Sequence, residues 1–201
     1  MKYLWLSVFF LVLLWSGIHP KDPLTWLLEV APALLALVAL ALSYRSFPLT
    51  PLLYWLILAH CVVLMVGGHY TYAEVPLFDG LFGAERNNYD KLGHFFQGFV
   101  PAMVARELLI RKQVVKSAGW RDFIVVSFCL GFSAFYELVE WAVALLSGQA
   151  AEAFLGTQGY VWDTQSDMAM ALLGACSALW FLSGLHNRQL AALATAAQGK
   201  P

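Results

Sequence analysis

The chain has 201 residues, of which 60% are hydrophobic and only 12% are Asp, Glu, Lys or Arg; its formal net charge is −1 and its mean hydropathy +0.66. Soluble domains carry about 25% charged residues, so a soluble globular domain is excluded. The near-zero charge excludes nucleic acid, which demands a clustered basic surface. What remains is an all-α, polytopic membrane protein whose partners are membrane lipids or small molecules.

Six segments are apolar enough to be read as crossings of a single bundle, running from about Tyr3 to Ile18, Trp26 to Ser43, Leu52 to Gly68, Gly93 to Ile110, Phe123 to Leu146 and Met168 to Leu185. A crossing takes about 17 to 25 residues, slightly fewer where flanking polar side chains snorkel. The first segment, MKYLWLSVFFLVLLWSGIHP, has the basic start and apolar core of a signal peptide but no clear A-x-A site, and is read as a retained helix. Prolines and glycines punctuate the joints HPKDPLT, YRSFPLTP and RKQVVKSAGWRD. The connection from His69 to Asp90 carries Tyr70, Tyr72, Val75, Leu77 and Phe78, too apolar to project into water, and is expected to fold back over the bundle. Cys61, Cys129 and Cys176 lie in apolar runs without metal-ligand spacing and read as small buried hydrophobes. Gly93, Gly98, Gly131, Gly174 and Ala175 are expected to let helices approach closely. No polar linker, low-complexity tract or repeat divides the chain, which reads as one membrane domain.

Near the span ends, nine Lys and Arg residues fall on one side (Lys2, Arg45, Arg106, Arg111, Lys112, Lys116, Arg121, Arg188, Lys200) and three on the other (Lys21, Arg86, Lys91). The positive-inside rule then puts both termini in the cytoplasm and the first, third and fifth connections outside. That outer side carries most of the acids: Asp22, Glu74, Asp79, Glu85, Asp90, Glu152, Asp163 and Asp167.

Within this frame the intramembrane ionisable residues stand out, because each costs roughly 2.5 to 3.5 kcal/mol at a helix centre. SAFYELVEWAVALL places Glu137 and Glu140 one turn apart; YDKLGHFFQG places Asp90, His94 and Gln97 on one helical face; WDTQSDM supplies Asp163 and Asp167. With Glu29 and His69 these residues share one membrane level. The candidate catalytic residues are Glu137, Glu140, His94 and Asp90, since paired carboxylates in a low-dielectric setting can divide acid and base roles while a histidine carries the proton. The candidate substrate-binding residues are Gln97, Asp163, Asp167, His69 and Glu74. Carboxylate and imidazole donors also suit a divalent metal such as zinc or manganese, although no H-E-x-x-H spacing fixes one. Simpler roles exist: Asp90 and Asp163 could cap their helices, His60 could be a packed histidine, and Glu29, His69 and Glu74 could be solvated at the interface.

The strings FPLT, MVGGHYTYAEVPLF, NNYDKLGHFFQGFVPA, SAFYELVEW and AFLGTQGYVWDTQSDMAMALLGA resemble the YjdF family of bacterial inner-membrane proteins over almost the whole chain. That resemblance implies a multi-pass inner-membrane protein and names no activity. A narrower similarity to VanZ-like proteins covers Asp90, Lys91, His94 and Phe95, then Glu137 or Glu140, then Asp167 with Gly174, and departs at Met168 and Met170; it implies cell-envelope chemistry. Three functions follow: a membrane-embedded enzyme acting on a lipid-linked or amphiphilic envelope substrate, a non-catalytic binder or carrier of a cation, proton or lipid, and a membrane scaffold. No G-x-S-x-G elbow or phosphate-cradling glycine loop points to serine-hydrolase or nucleotide chemistry.

Overall fold

The computed structural model describes residues 2–72, 74–78, 87–147 and 161–198. Among them the regular structure is helical: α1 (Lys2–Gly17), α2 (Pro23–Ser43), α3 (Pro51–His69), a 3-10 turn (Pro76–Phe78), α4 (Tyr89–Arg111), α5 (Ala118–Ser147) and α6 (Asp163–Gln198). By length and composition four stretches can cross a membrane: Pro23–Ser43, Pro51–His69, Ala118–Val143 and Asp163–Ala196. The 16 residues of α1 rise only about 24 Å against a hydrocarbon core of about 30 Å. α4 is long enough but polar near both ends. Large apolar side chains such as Leu11, Leu35, Phe135 and Phe181 ring the outside of the bundle, as a lipid solvent requires.

The helix starts follow local chemistry. Asp22 caps α2 by accepting the Thr25 N–H at 2.7 Å, and Pro23 opens the first turn with its fixed φ. That backbone bond holds the Asp22 carboxyl below its usual pKa. α4 begins one residue before Asp90; the Asn87 side chain accepts the Tyr89 N–H at 3.1 Å and donates to the Val75 carbonyl at 2.8 Å. Asp90 is therefore not the cap, and its side chain turns toward the bundle interior instead.

α3 packs against α1, α2 and α4, while α5 packs against α4 and α6, so α4 joins the two halves. The closest seam is α4 on α6. A Cβ on Gly98 would lie 1.8 Å from the Ala171 carbonyl oxygen, and one on Gly174 would lie 2.1 Å from that of Phe95, so the backbones touch. The two helices run parallel: His94 near the start of α4 faces Asp167 near the start of α6, and Arg106 faces His186 further along both. Gly131 has nothing within 4 Å of its Cβ position and does not serve this packing, contrary to expectation. Cys176 is likewise exposed, whereas Cys61 and Cys129 are buried.

The described part of the connection after α3 packs back against the bundle, as its apolar content implied. Tyr72 and Val75 are buried and form a cluster with Val63, Tyr89 and Phe78. Thr71 and Tyr72 adopt left-handed φ values of 56° and 58°, a strained conformation for such residues. Gly67 and Gly93 make it possible, since a Cβ on either would lie 2.3 or 2.9 Å from the Tyr72 ring. Leu77's side chain, Asp79, Glu85, Arg86 and Glu152 lie outside the described residues.

Candidate functional site

Two ends of the bundle carry buried polar groups, and they differ in kind. At the acidic end, α4 presents Asp90, His94 and Gln97, α5 presents Glu137 and Glu140, α6 presents Asp163 and Asp167, and α2 presents Glu29. His94, Gln97, Glu137, Asp163, Asp167 and Glu29 are all buried, while Asp90 and Glu140 are half-buried. The Gly98–Ala171 contact sits one helical turn below His94 and Asp167, so the tight α4–α6 seam brings those two side chains to one level.

The geometry around His94 is specific. Its Nδ1 lies 3.0 Å from Gln97 Oε1, an oxygen that can only accept, so Nδ1 carries a proton. In the neutral ring Nε2 is then the bare nitrogen. It faces Asp90 Oδ1 at 3.5 Å, Glu137 Oε1 at 3.7 Å and Asp167 Oδ2 at 4.0 Å. These distances exceed the mode of about 2.9 Å for an N–H···O bond. They match the spacing of donors around a first-row divalent ion, where atoms each about 2.0 to 2.2 Å from the metal stand about 3 to 4 Å from one another. Two overlapping triads, Asp90–His94–Asp167 and His94–Glu137–Glu140, bring their donor atoms within 4.8 Å. Two carboxylate oxygens here, Glu137 Oε1 and Asp167 Oδ1, are buried without a hydrogen-bond partner. Buried oxygens with free lone pairs are costly, and a proton or a cation at the cluster would offset the cost. Gln97 would then act as the outer partner that orients a ligating histidine.

Beside the cluster lies a cavity of about 70 Å³. Glu29, Tyr72, Asp90, Tyr136 and Glu140 line its acidic-end side, and Pro32, His60, Leu64 and Phe132 line it deeper in the bundle. The phenols of Tyr72 and Tyr136 approach the Glu29 carboxylate. Burial pushes the Tyr72 phenol well above its usual pKa, so it stays a donor. The cavity lies between α2 and α5, which among the described residues make no extensive contact beyond the approach of Tyr136 to Glu29.

Two expected substrate-binding residues lie elsewhere. His69 Nδ1 meets the Ser16 carbonyl at 3.0 Å and its ring contacts Trp15 and Tyr70, so it ties the end of α1 to α3. Glu74 pairs with Lys21 on the surface. Neither lines the cavity nor joins the cluster. Asp163 opens α6, buried near Glu137.

This chain belongs to the DUF2238 family. The family model, described as a predicted membrane protein, matches residues 1–188. A relative named Inner membrane protein YjdF, from Escherichia coli (strain K12), is 53% identical over 183 residues, covering 90% of this chain and 88% of the relative. No solved structure matches the chain. These matches bear out the resemblance to the YjdF family and the assignment to a membrane.

The basic end holds a network that the sequence reading missed. Glu107, fully buried, accepts from Thr50 N–H at 3.2 Å, Thr50 Oγ at 2.8 Å, Arg111 Nη1 at 2.8 Å and His186 Nε2 at 2.9 Å. Arg106 Nη1 donates to His186 Nδ1 at 2.9 Å and Nη2 to Asn187 Oδ1 at 2.7 Å. Because arginine can only donate, His186 is the neutral tautomer protonated on Nε2. The Glu107–Arg111 spacing of i,i+4 was the available signal.

Proposed function

We propose that the chain is a six-span protein of the bacterial inner membrane, with both termini cytoplasmic, whose outward-facing acidic cluster holds one divalent cation and acts on a lipid-linked or amphiphilic envelope substrate. The observation that carries this reading is His94 Nε2 facing three carboxylates at 3.5 to 4.0 Å while Glu137 Oε1 and Asp167 Oδ1 lack hydrogen-bond partners. Asp90, His94, Glu137 and Asp167 are the holding residues. Bound there, a zinc or manganese ion would polarise a substrate oxygen or acidify a water.

The other acids exceed what the ion needs. Glu140 reaches the His94–Glu137 pair and also lines the cavity, which places it to take a proton from a group bound there. Glu29 and the Tyr72 and Tyr136 phenols face it across the same space and supply hydrogen bonds to a polar headgroup. Entry between α2 and α5 from the side suits an amphiphile, because the deeper lining of Pro32, Leu64 and Phe132 is apolar and the shallower lining polar.

The six-span topology gains support from burial. The polar side chains His94, Gln97, Arg106 and Glu107 of α4 are turned inward, leaving an apolar face for lipid. α1 is short enough to require local thinning or snorkelling by Lys2. An even number of spans then puts both termini on one side, and the nine-to-three distribution of Lys and Arg selects the cytoplasm. The relative's name supplies the inner membrane.

Metal analysis of purified protein tests the proposal. We expect about one zinc or manganese per chain, lost in His94→Ala and in the Asp90→Asn/Asp167→Asn double variant. Wild-type protein that neither retains these ions nor shifts its unfolding temperature when they are added would overturn it. Glu140→Gln separates enzyme from binder: an enzyme variant keeps the ion and loses the cellular phenotype of wild type, whereas a binder keeps both.

A further inference from the structure

A larger cavity than the one beside this cluster lies at the basic end, between α1 and α2. The two helices meet at the acidic end, where Trp26 Nε1 donates to Ser16 Oγ at 3.1 Å and the Trp26 ring lies against Gly17. Each then packs on α3 rather than on its neighbour. The cleft left between them encloses about 430 Å³, within the range of about 300 to 1,000 Å³ typical of small-molecule sites. Its walls are Leu6 on α1 and Leu37 and Leu40 on α2. Its floor is Trp5, buried and anchored by a 2.7 Å bond from Nε1 to the Tyr54 carbonyl of α3.

The rim has the opposite character. Lys2 and Arg45 stand on the two sides of the mouth, and Lys2 Nζ lies 5.0 Å from the centre of the Tyr44 ring, which draws the ammonium across the opening. Among the described residues, no carboxylate pairs with either cation. From Leu37 to Arg45 the wall runs about 12 Å along the helix, the depth of a headgroup and the upper part of an acyl chain. We propose that this cleft binds an anionic phospholipid, its phosphate held by Lys2 and Arg45 and one acyl chain laid in the leucine-walled trough over Trp5. The charge complementarity selects an anionic over a zwitterionic headgroup, and the basic end is where the topology places the cytoplasmic leaflet, whose anionic lipids attract such clusters.

The test is native mass spectrometry of detergent-purified full chain titrated with phosphatidylglycerol or phosphatidylcholine of the same acyl composition. Wild type should retain phosphatidylglycerol preferentially. Each cation near the headgroup strengthens binding by about fivefold, so Lys2→Ala/Arg45→Ala should lose about 25-fold of that preference and leave phosphatidylcholine retention unchanged. Lys116→Ala/Arg188→Ala removes the same charge from the same end without touching the cleft and should behave as wild type; an equal loss in this control would mean general surface charge and would overturn the site. Equal retention of both lipids by wild type would overturn it as well. Leu37→Trp, which fills the trough and leaves the cations in place, should abolish retention; full retention in that variant would show that no acyl chain lies there.

Discussion

One substitution, Glu to Gln, should have opposite effects at the two ends of the bundle. Glu107 is fully buried and its two oxygens accept four hydrogen bonds from Thr50, Arg111 and His186. Glutamine keeps one acceptor oxygen and turns an NH2 group toward donors, so at least two bonds to the anion are lost, at roughly 1.5 to 3 kcal/mol each. Glu107→Gln should therefore destabilise by about 3 to 5 kcal/mol, in line with breaking a buried ion pair. At about 2 to 4 °C per kcal/mol for a chain of this size, that lowers the unfolding midpoint by roughly 6 to 20 °C. Glu137 is also buried, yet its Oε1 has no hydrogen-bond partner, and against the attraction of His94 at 3.7 Å and a bond from Thr164 stand its own desolvation and the neighbouring Asp90, Asp163 and Glu140. Neutralising it removes repulsion and desolvation together, so Glu137→Gln should leave the midpoint unchanged or raise it by up to about 2 kcal/mol equivalent in metal-free buffer. The assay is tryptophan fluorescence during thermal unfolding in detergent with chelator, repeated after adding zinc. Wild type should gain stability from the ion by mass action, and Glu137→Gln should gain much less. A metal-free loss at Glu137 as large as that at Glu107 would refute the reasoning, because it would mean a closed structural network at both ends.

Gly98→Ala should destabilise by about 1 to 3 kcal/mol or more in the same assay, since its Cβ would lie 1.8 Å from the Ala171 carbonyl. Gly131→Ala, with nothing within 4 Å, should be neutral or stabilise by up to about 1 kcal/mol. Asp22→Ala should cost about 1 kcal/mol as a lost helix cap. Because the bond from the Thr25 N–H holds the folded carboxyl below its usual range, the cap's contribution is complete above that range and is lost as pH falls below it; a wild-type-to-variant difference that persists undiminished in strong acid would contradict this. Reporter fusions at the C-terminus should read cytoplasmic, and an external C-terminus would reverse which leaflet faces each polar end.

The membrane class and most helix positions were legible because composition and apolar run length are averages over many residues. α5 and α6 begin or end beyond the apolar segments that predicted them, at Ala118 and Gln198, because a helix continues past the bilayer wherever its backbone bonds are satisfied. The convergence of His94, Glu137 and Asp167 was legible from depth, since His94 and Asp167 lie at the starts of their spans and Glu137 lies in the half of its span that ends on the same side. What depth cannot supply is azimuth. His69 shares the level but points to Ser16, whereas Tyr136, which depth does not single out, brings its phenol to Glu29. Gly131 and Cys176 failed for the same reason: small residues look alike in sequence whether they face a helix or open space.

The contrast between the two ends also bears on why the sequence drew attention to only one of them. At the basic end every acid has a nearby cation or histidine to answer it: Glu107 with Arg111 and His186, the latter fixed in turn by Arg106. Both oxygens of the Glu107 carboxylate are hydrogen-bonded, and its charge is answered by Arg111 within 2.8 Å. These bonds lock the start of α3 to the ends of α4 and α6, a task the Leu52 N–H bond to Gln189 shares. At the acidic end Asp90, Glu137, Glu140, Asp167 and Glu29 converge on one imidazole, and Lys21 is spent on Glu74 at the surface. A protonated His94 could answer one of these carboxylates. Carboxylates crowded in this way cost free energy, and hydrogen bonds to the buried Glu107 at the opposite end can offset part of that cost, because stability is the sum over the whole bundle.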